Sequence, residues 1–351
     1  MAIDETKLNE FMGKAVGDIG AALSAALVVI GDKLGLYKAL AKTGPSTPLE
    51  LAAKTGTHER YVREWLGNQA AGGYISYDPK SARFSLPPEQ AMALAEEGSP
   101  AFIPGAFQVI AAAFAAGEKI AERFRTGEGL EWGEHHACLF EGTERFFRPG
   151  YAANLVSSWL PGLEGVVAKL NQGALVADVG CGLGASAILM AQAFPKSRFR
   201  GFDIHPGSID LARERAKAAG VEDRVTFEVA KATDFPGSNY DLVAHFDCLH
   251  DMGDPLGAAR RVREVLSPNG TWLVVEPFAG DKIEDNLNPV GRVFYGASTM
   301  LCVPNSLASK GPALGAQAGE KRLGEVVKAA GFRGFRRATE TPFNLVLEAR
   351  P

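Results

Sequence analysis

The stretch LVADVGCGLG at residues 175–184 decides the fold. It opens with a short apolar run, as a buried β-strand does, and ends in three glycines that precede an apolar helical segment. Glycines at a strand-to-helix turn permit a tight bend and let the backbone approach a ligand at a helix N-terminus. The stretch therefore predicts a ligand-binding turn at the carboxyl end of a parallel strand.

Strands and helices alternate after this turn. Strands are predicted at 199–202, 225–229, 242–246 and 272–275, and helices at 185–194, 209–219 and 255–266. Such alternation is typical of an α/β fold with a doubly wound, mostly parallel sheet. Two adjacent strands at 332–338 and 343–349 interrupt the alternation and predict a C-terminal hairpin, with one strand antiparallel to the rest.

The first part of the chain follows a different pattern. Residues 8–42 predict one or two helices, so apolar that they must be buried in the core or against a second subunit. Two short helices follow, at 47–56 and from Thr57 to about residue 71, with Thr57 as the N-cap of the second. A β-hairpin over 74–86 completes a winged-helix arrangement.

Residues 89–125 are predicted to be mainly helical, whereas 126–151 show no clean period and are dense in aromatic residues and histidines. Irregular segments of that composition usually line a site. The chain therefore divides into a helical and winged-helix domain at 1–95, connecting helices with a substrate-pocket segment at 96–170, and a Rossmann-like cofactor-binding catalytic domain at 171–351.

Composition restricts the partners. The 351 residues carry 37 basic and 41 acidic side chains, a net charge of −4. The winged segment 44–74 has three basic and three acidic residues, whereas DNA readers need a basic stripe, so no nucleic-acid partner is expected. The four cysteines lie far apart, which indicates a reducing, cytoplasmic setting. The most apolar run, 21–31, has 11 residues, and a membrane-spanning helix needs about 20.

The glycine motif alone leaves the cofactor open. Gly180, Gly182 and Ala185 also satisfy the dinucleotide pattern G-x-G-x-x-G/A. Asp203 ends the next strand, 19 residues after Gly184, where an acid can bind the ribose of either kind of adenosine cofactor. Asp178, two residues before the first glycine, favours a cationic ligand because a carboxylate would repel a pyrophosphate.

At these residues the second half of the chain resembles the class I S-adenosylmethionine-dependent methyltransferases. DVGCGLG at 178–184 is similar to their first motif, and ATDFP at 232–236 to their adenine-contacting loop, although Lys231 stands where many relatives have an acid. FDCLHD at 246–251 resembles the stretch that borders both cofactor and substrate. The resemblance implies S-adenosylmethionine as the cofactor, and the residues expected to bind it are Asp178, Gly180, Cys181, Gly182, Gly184, Asp203, Ile204, Ala232, Thr233, Phe246, Asp247 and Tyr151.

The whole chain resembles two-domain small-molecule O-methyltransferases, and more closely a bacterial branch of them in which WGEHH (132–136) and FFRPGY (146–151) recur. In this family the N-terminal domain forms the dimer, and a homodimer is therefore expected. LHDM at 249–252 is similar to the family's His-Asp-Trp motif, which implies His250 as the catalytic base. A histidine with an ordinary pKa is neutral above about pH 6.5, so activity is expected to rise with pH through that region.

Several site residues have two interpretations. His250 is a general base or a helix-capping or surface histidine, and Glu276, at the end of the fifth strand, orients His250 or is a solvated strand end. Trp132, His135, His136 and Phe147 are predicted to line the substrate pocket, with a packing role as the alternative; Tyr151 has the same alternative. Cys181 is interpreted as a small residue between glycines, and no metal site is expected.

The sequence thus predicts methyl transfer from S-adenosylmethionine to a hydroxyl group of a small-molecule acceptor. The apolar segment 281–320 would cap the pocket and suggests an aromatic or largely apolar acceptor. The alternatives are an N- or C-methyltransferase that needs no general base and a cofactor-binding winged-helix regulator. A nicotinamide oxidoreductase would explain the glycines, but neither Asp178 nor the C-terminal hairpin.

Overall fold

The computed structural model describes residues 3–351. Residues 1 and 2, with which the predicted front domain begins, lie outside the described residues. The chain forms two compact units, one made of the residues up to 111 together with 141–149, and the other of 112–140 together with 150–351.

The first unit contains the predicted winged-helix arrangement. Its elements are α1 (Glu5–Lys33), α2 (Leu36–Thr43), α3 (Pro48–Thr55), α4 (Glu59–Ala71), β1 (Ser76–Asp78), β2 (Arg83–Ser85) and α5 (Pro88–Leu94). Strands β1 and β2 pair as an antiparallel hairpin. The N-cap of α4 is His58, whose Nδ1 accepts the Arg60 amide at 3.2 Å. The prediction of Thr57 was wrong by one residue, because the Thr57 hydroxyl instead pairs with that of Thr55 at 2.8 Å.

Helix α1 is longer than the sequence suggested. It has 29 residues and is long and apolar enough, by length and composition, to cross a membrane. The prediction that no segment reaches this length was wrong because it counted only the uninterrupted apolar run. Lys14 and Asp18 lie before that run and pair with each other at 2.8 Å one helical turn apart, so the helix also includes the residues on its N-terminal side. Only 22% of its most apolar window is buried in the protein.

The second unit is an α/β domain. Its helices are α7 (Gly117–Thr126), α9 (Leu160–Gly162), α10 (Val166–Gln172), α11 (Ala185–Ala193), α12 (Pro206–Ala218), α13 (Pro255–Val265), α14 (Pro289–Ala297), α15 (Val303–Ala308) and α16 (Gly319–Ala329). Helices α6 (Pro104–Ala115) and α8 (Cys138–Asn154) each contribute residues to both units. Shorter turns are three 3₁₀ turns (Trp132–Glu134, Leu249–Asp251, Ile283–Asn286) and two π turns (Leu155–Trp159, Ser298–Cys302).

Seven strands form the main sheet in the order β5-β4-β3-β6-β7-β9-β8. They are β3 (Leu175–Val179), β4 (Arg198–Asp203), β5 (Val225–Val229), β6 (Tyr240–Phe246), β7 (Leu266–Pro277), β8 (Gly334–Glu340) and β9 (Asn344–Arg350). Strands β3 to β7 pair in parallel, and β9 runs antiparallel to both β7 and β8. This confirms the predicted fold class and the C-terminal hairpin.

The strand order indicates where a ligand-binding crevice lies. From β3 the chain proceeds outward to β4 and β5, and then returns to the other side of β3 with β6. The sheet therefore reverses direction between β3 and β6, and ligands of open α/β sheets bind at the carboxyl ends of the strands beside such a point. Below this edge the strands and flanking helices are held by a buried apolar core that includes Phe202, Tyr240 and Trp272.

The segment 126–151 is more regular than predicted. It was expected to be irregular, but helix α8 begins at Cys138 and runs through Pro149 to Asn154. Residues 141–149 of this helix belong to the first unit and its two ends to the second. Gly142, Pro149 and Gly150 lie inside this helix, and because such residues usually mark a break, the sequence did not indicate one continuous helix.

Candidate functional site

The turn between β3 and α11 needs its glycines. Gly180, Gly182 and Gly184 have φ angles of 76°, 51° and 80°, which side-chain-bearing residues rarely adopt. A Cβ on Gly180 would lie 2.7 Å from the Cys248 Sγ, and one on Gly184 would lie 2.6 Å from the Phe227 ring. A Cβ on Gly182 would meet nothing within 4 Å, so the turn presents one open face.

Asp203 lies against this turn. One of its carboxylate oxygens accepts the Gly182 amide at 2.9 Å, and the other accepts the His205 amide at the same distance. Burial raises the pKa of Asp203, and these two amides partly oppose that effect. The structure thus brings together the first and second strand ends that the sequence singled out. The neighbouring Ile204 side chain is 64% exposed.

Asp178, the last residue but one of β3, is a buried carboxyl group. Ser186 donates a hydrogen bond to its Oδ2, while its Oδ1 is buried without a hydrogen-bond partner. Burial raises the pKa of Asp178 to about 7, although hydrogen bonds from the Ser186 hydroxyl and the Ala187 amide oppose that effect. A buried acceptor that lacks a donor is costly, and a cationic donor placed there would both satisfy it and favour its ionised form.

The end of β6 contributes a strained acid. Asp247 has a φ of 51°, and its two carboxyl oxygens accept the Tyr151 hydroxyl at 2.8 Å and the Asn344 amide at 3.0 Å. Burial, reinforced by the nearby Glu276, raises the pKa of Asp247 to about 8. The Tyr151 ring lies 5.3 Å from that of Phe246. Tyr151, Phe246 and Asp247 are therefore one cluster, to which β9 adds Asn344.

His250 and Glu276 form a buried pair. Both are nearly inaccessible, and the His250 Nδ1–H donates to Glu276 Oε2. Glu276 Oε1 also accepts the Leu249 amide at 2.9 Å and the His250 amide at 3.3 Å, which ties the 249–251 turn to the end of β7. These contacts exclude the surface-histidine and solvated-strand-end interpretations.

The pair also changes the protonation of His250. Burial alone lowers the pKa of His250, but the Glu276 carboxylate and the Cys302 side chain outweigh it and raise the pKa well above the usual 6.5. Cys302 ends the π turn Ser298–Cys302, and such turns are frequent at functional sites. The expected rise of activity near pH 6.5 therefore needs correction, because in the ligand-free protein the imidazolium persists to higher pH.

The predicted adenine loop follows β5. The Ala230 amide donates to the Asp203 carbonyl at 3.0 Å, which fixes the start of this loop beside the ribose acid. Ala232 is half-buried, whereas Lys231 and Thr233 are exposed. The loop thus starts at the same edge as the glycine turn.

The predicted pocket residues are distributed between the units. Trp132, His135 and His136 belong to the second unit and Phe147 to the first. His135 is buried, while His136 is exposed and its Nδ1 accepts the Cys138 amide at 3.2 Å. The Trp132 amide donates to Asn305 Oδ1 at 3.0 Å. Among residues 3–351, no group of three or more His, Cys, Asp or Glu side chains is arranged to hold a metal ion.

The edge of the sheet is strongly acidic. Asp178 and Glu276 are buried there, and Asp203, Asp247 and Asp251 are half-buried. Two histidines accompany these five acids: His250, paired with Glu276, and His205, beside Asp203. Burial also raises the pKa of Asp251 to about 7. Carboxyl groups concentrated in this way favour a ligand with positive charge. The unpartnered Asp178 oxygen and the open face of Gly182 fit the ammonium-bearing, cationic S-adenosylmethionine better than a pyrophosphate.

Sequence comparisons identify two known domains. Residues 170–331 match the family described as methyltransferase domain, and residues 21–96 match the Rv2258c-like winged HTH domain. A relative, 27-O-demethylrifamycin SV methyltransferase of Amycolatopsis mediterranei, is 33% identical over 177 residues, which cover 47% of this chain and 60% of the relative. The chain thus spans less than two thirds of that relative.

Solved structures share the fold along the full length. Human N-acetylserotonin methyltransferase, in complex with S-adenosylmethionine, matches with a TM-score of 0.70 at 18% identity and covers 100% of this chain and 99% of its own. The mitomycin 7-O-methyltransferase MmcR matches with a TM-score of 0.67 at 22% identity, with 99% and 100% covered. The chain therefore has the fold and the domain composition of a class I S-adenosylmethionine-dependent methyltransferase, with a winged helix-turn-helix domain in front of the methyltransferase domain.

Proposed function

We propose that the protein methylates a hydroxyl group of a small molecule, with S-adenosylmethionine as the donor and His250 as the general base. The observation that carries this proposal is the buried His250–Glu276 pair at the same sheet edge as the glycine turn and Asp178. A hydroxyl loses its proton on methylation, whereas an amine that is already neutral, or a carbon, needs no such base.

The proposed cofactor site has three parts. The turn Gly180–Gly184, with Cys181, would approach the cofactor through its backbone, and Asp178 would bind the cationic amino acid end. Asp203 would accept hydrogen bonds from the ribose hydroxyls, and Ile204, Ala232 and Thr233 would surround the adenine. Tyr151, Phe246 and Asp247 would bound the reacting end. When bound, S-adenosylmethionine supplies a methyl group activated by its sulfonium.

The proposed role of Glu276 is to orient His250. Because Nδ1 carries the proton that Glu276 accepts, Nε2 is the nitrogen that takes a proton from the acceptor once the imidazolium has lost its Nε2 proton, and the raised pKa of His250 moves that loss to higher pH. The same carboxylate stabilises the imidazolium that this transfer produces. A positioned general base contributes on the order of 10²–10⁴-fold to rate. Methylation by such a site also depends on holding the acceptor oxygen in line with the bond between the methyl carbon and the sulfur. Trp132, His135 and His136 are the proposed neighbours of the acceptor. Phe147, in the first unit, remains a sequence-based prediction for the same role.

The test of the general base compares two readouts. His250→Asn should lower the single-turnover rate by at least about 100-fold and leave the dissociation constant of S-adenosylhomocysteine within about threefold. His58→Asn, an exposed position, is the matched control. A rate loss below tenfold for His250→Asn would exclude the base and favour the N- or C-methyltransferase alternative. Cofactor binding with no methyl transfer to any tested acceptor would favour the regulator alternative.

We also propose a cytoplasmic homodimer that forms through α1. Six apolar side chains, each between 46% and 64% exposed, follow one another along this helix at spacings of one to four residues: Leu8, Phe11, Met12, Val16, Ile19 and Leu23. A stripe of this kind is costly to leave in water. Its spacing suits packing against the same helix of a second copy, because i, i+3 and i+4 positions share a face.

The oligomeric state can be measured directly. The wild type should sediment as a dimer at micromolar concentration, and the double variant Val16→Asp/Ile19→Asp as a monomer. Leu211→Asp, on the exposed face of α12, should remain dimeric. A wild type that is monomeric, or that sediments with lipid vesicles through α1, would overturn the dimer, and vesicle binding would also overturn the absence of a membrane partner. Retention on double-stranded DNA at physiological salt would likewise contradict the expectation of no nucleic-acid partner.

A further inference from the structure

His135 is a buried polar side chain whose hydrogen bonds are unmade. The residue is only 7% exposed, and neither ring nitrogen has a hydrogen-bond partner. Most buried polar groups in folded proteins are paired, and one left unpaired costs about 1–3 kcal/mol. The proposed function assigns no hydrogen-bond partner to either ring nitrogen of His135, and a bound ligand could supply one.

Aromatic rings connect His135 to the cofactor side of the sheet edge. The Trp132 ring centroid lies 6.5 Å from that of His135 and 6.4 Å from that of Phe140. Phe140 in turn stacks on His205, with centroids 4.3 Å apart and planes at 24°. His205 follows the ribose acid Asp203, whose carboxylate accepts its amide. The row of rings therefore starts at the end of β4 and reaches His135.

Hydrogen bonds connect the same segment to the His250 side of the edge. The Leu130 amide donates to the Pro304 carbonyl at 2.9 Å, and the Trp132 amide donates to Asn305 Oδ1 at 3.0 Å. The Asn305 side-chain amide donates to the Asp251 carbonyl at 3.1 Å. Asn305, on the helix α15 that begins directly after Cys302, therefore links the Trp132 backbone to the backbone of Asp251, the residue that follows His250.

We propose that His135 recognises the methyl acceptor through a second polar group, and that the acceptor is an uncharged, planar aromatic molecule with a hydroxyl or carbonyl apart from the oxygen that is methylated. The inference rests on the proposed function and adds the substrate class to it. The half-buried Trp132 ring beside His135 is a flat apolar surface that suits an aromatic ring, and Phe140, which is stacked on His205, borders it. A neutral imidazole offers one donor and one acceptor, which complements such a group.

The charge around His135 agrees with an uncharged ligand. Burial lowers the pKa of His135, and the nearby Lys119 ammonium lowers it further, whereas Glu134 opposes both. The Lys119 ammonium is itself engaged, since it donates to the Glu134 carbonyl at 2.9 Å. His135 is therefore neutral at pH 7, and it would attract neither a carboxylate nor a phosphate by charge.

The test uses two probes that differ by one hydroxyl. The protein is saturated with S-adenosylhomocysteine, and the dissociation constants of 2-naphthol and 2,7-dihydroxynaphthalene are measured by calorimetry. The wild type should bind the diol about tenfold more tightly than 2-naphthol. His135→Phe should abolish that preference by weakening only the diol, His135→Gln should retain most of it, and the control His58→Phe should retain all of it. The diol should also shift the ¹⁵N imidazole resonances of His135 in the wild type.

Failure of the recognition role and failure of the proposed function give different results. Equal binding of the two probes to the wild type, binding of neither, or an unchanged preference in His135→Phe would overturn the recognition role. The wild-type comparison and the ¹⁵N shift need no variant, so they decide the matter even if His135→Phe unfolds. Failure of the wild type to bind S-adenosylhomocysteine would instead overturn the proposed function, and the first titration shows this before a probe is added.

Discussion

Replacement of Glu276 by glutamine should change the charge and the tautomer of His250 without changing the size of the side chain. In the wild type, Glu276 accepts three hydrogen bonds, from two amides and from the His250 ring. The carbonyl oxygen of glutamine can still accept the hydrogen bonds from the Leu249 and His250 backbone amides. In that orientation its NH₂ group faces Nδ1 of His250. The NH₂ group then donates to Nδ1, and the ring proton moves to Nε2, the nitrogen proposed to act as the base.

Two magnitudes follow. Without the carboxylate, burial dominates, and the pKa of His250 should fall below the usual 6.5 instead of lying well above it. The lost hydrogen bond to a charged group should lower the free energy of unfolding by ~1.5–3 kcal/mol. Because the folded-state pKa is raised in the wild type, this stabilisation is complete below pH 6.5 and disappears as the pH rises through the folded-state pKa. The stability difference between wild type and variant should therefore be largest at acidic pH.

The assay is a pH titration of the imidazole ¹⁵N resonances. The chain has six histidines, so the spectrum is simple, and His250→Asn assigns the relevant signal. Glu276→Gln should shift the His250 titration to lower pH, and Glu284→Gln, at an exposed position, should not. Urea unfolding at pH 6 and pH 9 measures the stability difference. A His250 signal that titrates at the same pH in wild type and Glu276→Gln would refute the reasoning.

Three further results are expected. The affinity for S-adenosylmethionine should fall as the pH drops below about 7, since Asp178 must be ionised to hold the cation; Asp178→Asn should remove this dependence in calorimetry. Gly182→Ala should weaken the binding of S-adenosylhomocysteine more than tenfold, because its Cβ would enter the open face of the turn. The variant should lose only ~1–2 kcal/mol of unfolding free energy, the cost of a positive φ, and an unchanged affinity would contradict the proposed site. Arg145→Ala should cost ~3–5 kcal/mol in urea unfolding, because Arg145 is a buried partner of Asp32 at 2.7 Å, whereas the exposed Arg60→Ala should cost under ~1 kcal/mol.

The second half of the fold could be predicted because its central strands β3, β6 and β7 contain local apolar runs and the turns between its elements contain glycine or proline. Helix α8 could not be predicted, since Gly142, Pro149 and Gly150, which usually mark a break, lie inside it. Helices α14 and α15 were missed within the segment 281–320, which was interpreted only as a cap, and α16 was missed because no element was predicted between that segment and the C-terminal hairpin. The division at 95 and 170 stays a prediction, and the compact units interleave instead, with 141–149 in the first.

The candidate site could be predicted where its residues follow the ends of predicted parallel strands, as the glycine turn, Asp203, His250 and Glu276 do. The glycine turn and its contact with Asp203 follow from one motif and one spacing. Asn344 was missed because it reaches Asp247 from a distant part of the chain and carries no local signal. Cys302 belongs to the predicted cap at 281–320, but its effect on the pKa of His250 was not predicted. The raised pKa of His250 was missed because it depends on how deeply Glu276 is buried, which the sequence left open.

Calorimetry with S-adenosylhomocysteine and with NAD tests the central claim most directly, because the glycine turn by itself suits either cofactor. The unpartnered Asp178 oxygen and the acidic edge of the sheet predict one S-adenosylhomocysteine site per chain, weakened at least tenfold in Asp178→Asn, and no measurable binding of NAD. Binding of NAD together with no binding of S-adenosylhomocysteine would contradict the account.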